Sequence, residues 1–213
     1  MSLLASITEK FAGPAWLKTA SKRLSPRDSH PWKFKDLTPA EQQLYARFPV
    51  DYQQFLARWN GCLLDPQAAR FSADASEKVA LEEVYGYLSY ERPKPEEGKP
   101  HSLLHEHYDR HQRDEFLPSD VYVIGHCSGG GLLCLSLNPE QSGKVFYWNS
   151  EWQKPENKKR FDEKCQPIWD RYPQRDMILK DPEHPQHRAL LDSLSFAMLT
   201  PVAKSFSEFV GGL

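Results

Sequence analysis

VYVIGHCSGGGLLCLSLNPEQSGKVFYWNSEW, residues Val121 to Trp152, holds the longest apolar runs in a chain that is otherwise polar. Two turn signals break those runs, the glycines Gly129, Gly130 and Gly131 and then the group Asn138, Pro139, Ser142 and Gly143. The pattern predicts three consecutive antiparallel strands, a meander at the centre of a sheet. In the middle run Leu133, Leu135 and Leu137 fall on one face at period two, and Leu132, Cys134 and Ser136 fall on the other. Such a strand is buried on one side and partly covered on the second.

The same stretch contains a catalytic pattern. Gly125-His126-Cys127-Ser128-Gly129 fits a nucleophile elbow with cysteine in the serine position. An elbow must lead into a helix whose first N–H groups help to form the oxyanion hole, whereas here three glycines lead into LLCLSL, which reads as another strand. A hairpin loop in which glycine supplies positive φ is the favoured reading. A thiol hydrolase using Cys127 stays as the alternative from a different class.

Working outward towards the N-terminus, Thr38-Pro39-Ala40-Glu41 opens a helix, with threonine as cap, proline at the first helical position and glutamate placed to reach back. Leu44, Tyr45 and Phe48 share a face, and Pro49 closes the helix. A second helix is expected from Asp51, with Gln54 at the capping-box position and Tyr52, Phe55, Leu56 and Trp59 at spacings of three and four. Asn60-Gly61 stops it. Weak strands are expected near Ala69–Ser72 and Val79–Tyr87. ERPKPEEGKP, from Glu91 to Pro100, reads as a solvated loop, and His101 to Glu115 as a helix. Residues 1–35 read as a helical appendage carrying Lys18, Lys22, Arg23 and Arg27.

Towards the C-terminus, Gln153 to Asp192 is a charged stretch with five prolines, yet Phe161, Ile168, Trp169, Tyr172, Ile178 and Leu179 imply that it packs somewhere. Phe196, Met198 and Leu199 suggest a last strand or extended segment. Ser205-x-x-Glu208 is a capping box opening a short helix with Phe206, Phe209 and Val210 inward. No internal repeat and no second core are evident. The expectation is one α+β domain over residues 36–213, with a curved, mostly antiparallel sheet, flanking helices and a charged insertion at about 153–192.

Composition excludes several function classes. A net charge of -2 over 213 residues carries no basic surplus for a dedicated nucleic-acid binder. No run approaches the roughly 18 apolar residues needed to span a bilayer, and the N-terminus lacks the basic segment of a secretory signal. Cys62, Cys127, Cys134 and Cys165 show no CxxC spacing and read as reduced thiols of a cytoplasmic protein. His101 and His105, and His107 and His111, form pairs four apart, but a helix sets the two pairs on different faces and neither matches HExxH. Glu82 and Glu83, as neighbours in a strand, are expected on opposite faces, and Glu96-Glu97 lies in the solvated loop. No metal site and no catalytic carboxylate pair is expected.

The order of these signals resembles the SUKH superfamily, which includes a fungal cell-wall synthesis regulator and many bacterial immunity proteins. The resemblance is carried by Pro49-Val50-Asp51-Tyr52-Gln53-Gln54-Phe55-Leu56, Trp59-Asn60-Gly61, Leu117-Pro118, the strand ending Ile124-Gly125, the Gly-rich turn with LLCLSL, Gly143-Lys144-Val145-Phe146-Tyr147-Trp148, and AKSFSEFVGGL. It runs from about Thr38 to Leu213. It implies a non-catalytic cytoplasmic binding protein without cofactors, most often an immunity protein that neutralises a cognate bacterial toxin by stoichiometric binding. The alternative of the same fold is a regulatory scaffold with several partners. Ser128-Gly129-Gly130-Gly131 matches the family's glycine turn but lacks the acidic residue often found there. The additions before Asp36 and after Trp152 are places where partner specificity would be built.

Loops at one end of a meander cluster in space, so the expected partner surface comprises His126, Ser128, Gly130, Trp148, Glu151 and Trp152. Of its two tryptophans Trp148 suits the core and Trp152 the surface, where a rigid ring anchors a partner.

Overall fold

The computed structural model describes residues 37–59, 61–64, 69–73, 78–86 and 117–213. The expected appendage at 1–35, the solvated loop at 91–100 and the helix with its histidine pairs at 101–115 lie outside the described residues. Strands β1 (Cys62–Leu63), β2 (Arg70–Ser72), β3 (Lys78–Val84), β4 (Val121–Cys127), β5 (Leu132–Ser136), β6 (Val145–Trp148) and β7 (Leu199–Ala203) form one open sheet. Its order is β1-β3-β4-β5-β6-β7, with β2 paired to the first half of β3, and every described pairing is antiparallel. The α+β architecture and the central meander read from Val121–Trp152 are both present.

The period-two pattern of the meander is satisfied on both faces. Every residue of β5 and β6 is buried. On one face the Tyr147 ring meets Phe71 of β2 edge-on at 5.7 Å between centroids, and Phe71 meets Phe209 at 5.2 Å. On the other, Phe146 meets Phe196 at 6.2 Å. Helices therefore cover the sheet from two sides.

Helices α1 (Pro39–Arg47) and α2 (Val50–Trp59) precede the sheet, and α6 (Phe206–Gly212) ends the chain. The reciprocal capping box of α1 is complete: the Thr38 N–H donates to Glu41 Oε2 at 2.6 Å and the Glu41 N–H to Thr38 Oγ1 at 3.4 Å. Tyr52, Phe55, Leu56 and Trp59 are the buried side of α2. Phe206 of α6 fits among them, 4.9 Å from Tyr52 and 5.0 Å from Phe55. Asp51 departs from its expected role. Helix α2 begins one residue earlier, and the Asp51 carboxylate accepts the Ser207 N–H at 2.7 Å. It serves the start of α6, where exposed N–H groups favour an anion. At Ser205 the hydroxyl accepts the Glu208 N–H at 3.1 Å, while Glu208 accepts from Lys204 instead of from the cap itself.

The charged stretch forms helices α3 (Lys158–Arg171), α4 (Arg175–Lys180) and α5 (His187–Ala197), preceded by short 3-10 turns at Ser150–Gln153 and Pro155–Asn157. Phe196 lies in the last turn of α5 and not in a strand as expected; β7 starts at Leu199. The spacing of Leu190, Leu194 and Met198 is helical, and it outweighs the short apolar run that suggested extension. Helix α5 is tied to the start of β4: Arg188 Nε donates to Ser119 Oγ at 2.7 Å and pairs with Asp192 at 3.0 Å, which itself accepts the Ser119 N–H at 3.1 Å.

Candidate partner-binding site

The β4–β5 connection is a single 3-10 turn, Ser128–Gly130, closed by the Cys127 N–H donating to Gly131 O at 2.8 Å. Gly129 and Gly130 have φ of 76° and 80°, the left-handed region that glycine enters without a Cβ penalty. Gly131 is needed for another reason. A Cβ there would stand 2.5 Å from the Tyr147 ring, so the ring lies directly on the backbone. Ser128, Gly129 and Gly130 are left exposed at the end of the sheet.

The segment after β6 locks onto this turn. Ser150 Oγ donates to Gly129 O at 2.8 Å, and Asn149 Oδ1 accepts the Glu151 N–H at 2.9 Å, capping the 3-10 turn that carries Glu151 and Trp152. Glu151 is exposed and paired with Lys154, and its carbonyl accepts from Asn157 Nδ2 at 2.8 Å. Trp152 is partly buried against α3: its ring meets Phe161 at 6.4 Å, and the Arg160 guanidinium and the Lys164 ammonium lie 5.1 and 4.9 Å from its centroid. Burial, reinforced by the Arg160 charge, lowers the pKa of Lys164 from its ordinary value. Trp148, in contrast, is 3 % exposed and lies in the core.

His126 belongs to the same region through the sheet register. Glu83, His126, Leu132, Trp148 and Leu199 are successive cross-strand partners from β3 to β7. The His126 ring is 30 % exposed, with Nε2 3.4 Å from Glu82 Oε2 and Nδ1 3.4 Å from Glu83 Oε2. Adjacent strand residues were expected to point apart. A register shift between Leu81 and Glu83 relieves that alternation and lets both carboxylates reach one imidazole. Glu83 is fully buried and Glu82 is not. No pattern in the residue order marks this cluster, because a bulge is a property of the pairing and not of either strand alone.

The structure thus brings together Ser128, Gly130, Glu151 and Trp152 at one end of the sheet, sets His126 one strand residue before Cys127, and keeps Trp148 beneath. The chemistry of Cys127 is not that of a nucleophile. Its side chain is buried, and desolvation followed by the Glu82 charge pushes its thiol above the ordinary range. The chain continues from it into the 3-10 turn and β5, without the helix that an elbow requires. Cys62 and Cys165 are likewise pushed up by burial, to about 12 and about 11. Among the described residues no group of three or more His, Cys, Asp or Glu side chains is placed to hold a metal ion.

Residues 31–212 match the SMI1 / KNR4 family (SUKH-1). The chain belongs to this family. No curated protein and no solved structure matches it. SUKH-1 membership supports a protein of immunity or regulatory kind, from a family that is generally non-catalytic and suited to protein–protein interaction. Among the described residues no helix is long and apolar enough to cross a membrane.

Proposed function

We propose that this SUKH-1 chain is an immunity protein that neutralises a cognate bacterial toxin by stoichiometric binding in the cytoplasm. Its binding domain is residues 36–213, with residues 1–35 an appendage and the charged insertion part of the partner surface. The observation that carries the reading is the exposed rim at the end of the sheet. The 128–130 turn and the 149–152 segment are fixed to one another by the Ser150–Gly129 hydrogen bond, and their backbones by caps and glycine geometry. A rim ordered before binding avoids much of the entropic cost of association, which suits the tight, slowly dissociating complex that an inhibitor acting at low concentration requires. Burial and a raised pKa at Cys127 count against the thiol-hydrolase alternative.

The test is capture on the tagged chain from its native lysate, followed by assay of the captured protein. A single partner at one-to-one stoichiometry, carrying a toxin domain whose activity is lost on adding the chain, supports the reading. Several substoichiometric partners, or one whose activity is unchanged by an equimolar amount of the chain, overturn it in favour of a regulatory scaffold.

A further inference from the structure

The five cations between residues 154 and 164 fall into two kinds. Lys154, Lys158 and Lys159 each meet a carboxylate one turn away, in Glu151, Asp162 and Glu163. Arg160 and Lys164 meet none within 4 Å among the described residues, although they lie one helical turn apart on the same side of α3. Both are held at about 5 Å from the Trp152 ring centroid. We infer that Arg160 and Lys164, mounted over Trp152, are the anchor for an acidic segment of the partner protein.

Four physical arguments converge on this. Like charges at this spacing repel, so the free protein keeps the pair at a cost that an incoming carboxylate removes. Burial, and to a smaller extent the Arg160 charge, already disfavours the Lys164 ammonium, and a carboxylate placed beside it would favour that charge again. The aromatic ring restricts both long side chains, so less rotamer entropy is lost on contact, and a stacked guanidinium keeps its edge available for a bidentate carboxylate. Finally, Trp and Arg in a partly desolvated setting are the residue types that dominate interface energetics. The pair is joined to the exposed glycine turn through Trp152, the 3-10 turn and the Ser150–Gly129 bond, so both would lie under one partner. The inference rests on reading the chain as a stoichiometric binder and adds the charge of the segment that is bound.

A minimal probe separates this claim from the broader one. Hexaglutamate is titrated into the isotope-labelled full chain at low ionic strength, following the Trp152 indole N–H resonance assigned by its loss in Trp152→Phe. The expected result is a saturable shift of that resonance, an affinity lowered at least about fivefold in the double variant Arg160→Gln/Lys164→Gln, and no such loss in Lys159→Gln. Thermal melts of the variants verify that they are folded. An unmoved indole resonance, equal affinity in the folded double variant, or a hexathymidylate that moves the resonance at lower concentration than hexaglutamate overturns the inference. Failure of this titration alongside successful toxin capture removes only the acidic anchor. Successful titration with no inhibited partner removes the immunity reading.

Discussion

Replacing Trp152 by Ala tests whether this ring is a structural pin between the sheet end and the insertion or a free anchor awaiting a partner. A fully buried tryptophan removes roughly 150–250 Å² from water. With about two thirds of the ring covered that is about 130 Å², or about 3 kcal/mol at 25 cal/mol per Å². The edge contact with Phe161 and the two overlying cations add to this, each by several tenths of a kcal/mol, with overlap between the terms. A loss of about 4 kcal/mol is expected, corresponding to a fall in Tm of about 8–16 °C for a domain of this size. Urea unfolding followed by far-UV circular dichroism measures it, with Trp152→Phe retaining most of the stability. If Trp152→Ala unfolds at the wild-type midpoint with the wild-type slope, the ring is not pinned and the geometry of α3 around it is wrong.

Three further outcomes follow from the same geometry. Gly129→Ala enters open space and pays only for its left-handed backbone, about 1–2 kcal/mol. Gly131→Ala costs more, because the Tyr147 ring must move, and comparison of the two urea midpoints orders them. Native Cys127 alkylates with iodoacetamide far more slowly than the same cysteine in urea, since its buried thiol keeps its proton; peptide mapping of the labelled protein shows the difference. Cys62, Cys127 and Cys134 all hold their protons to higher pH when folded than the ordinary thiol value of 9.0. Their contribution to stability is therefore complete below pH 9 and declines as pH rises towards the folded values. Between pH 8 and pH 10 three such thiols lose about 4 kcal/mol together, measured as falling unfolding free energy and reduced when Cys62 and Cys134 are replaced by Ala.

The meander was legible because strand burial has a period of two and its turns demand glycine. Leu133 and Leu135 against Leu132 and Cys134 divided correctly between faces, and the three glycines marked a turn with positive φ, although residue type alone does not say that Gly129 and Gly130 take it and Gly131 does not. Helix α3 was legible in principle: Phe161, Cys165, Ile168, Trp169 and Tyr172 follow a helical repeat. Its high charge and the internal Pro167 obscured that repeat, since proline removes a backbone donor yet is tolerated here within the helix. What residue order does not express is long-range pairing. That Asp51 reaches Ser207, that a bulge gathers Glu82 and Glu83 onto His126, and that Trp152 lies under Arg160 and Lys164 all depend on where distant segments meet.

The register of the last two strands bears on how the charged excursion is mounted on the sheet. Trp148 and Leu199 are direct partners across β6 and β7, so residues 149–198 leave the sheet and rejoin it at one place. Facing residues in an antiparallel pair stand only about 4.5–5.5 Å apart. Any segment whose two ends come that close can occupy the position, and doubling its length adds only about 0.6 kcal/mol of closure entropy. The helical excursion is thus an exchangeable cassette on a fixed chassis. If this excursion carries the proposed partner surface, its charge can be changed by substitution while β6 and β7 stay in register.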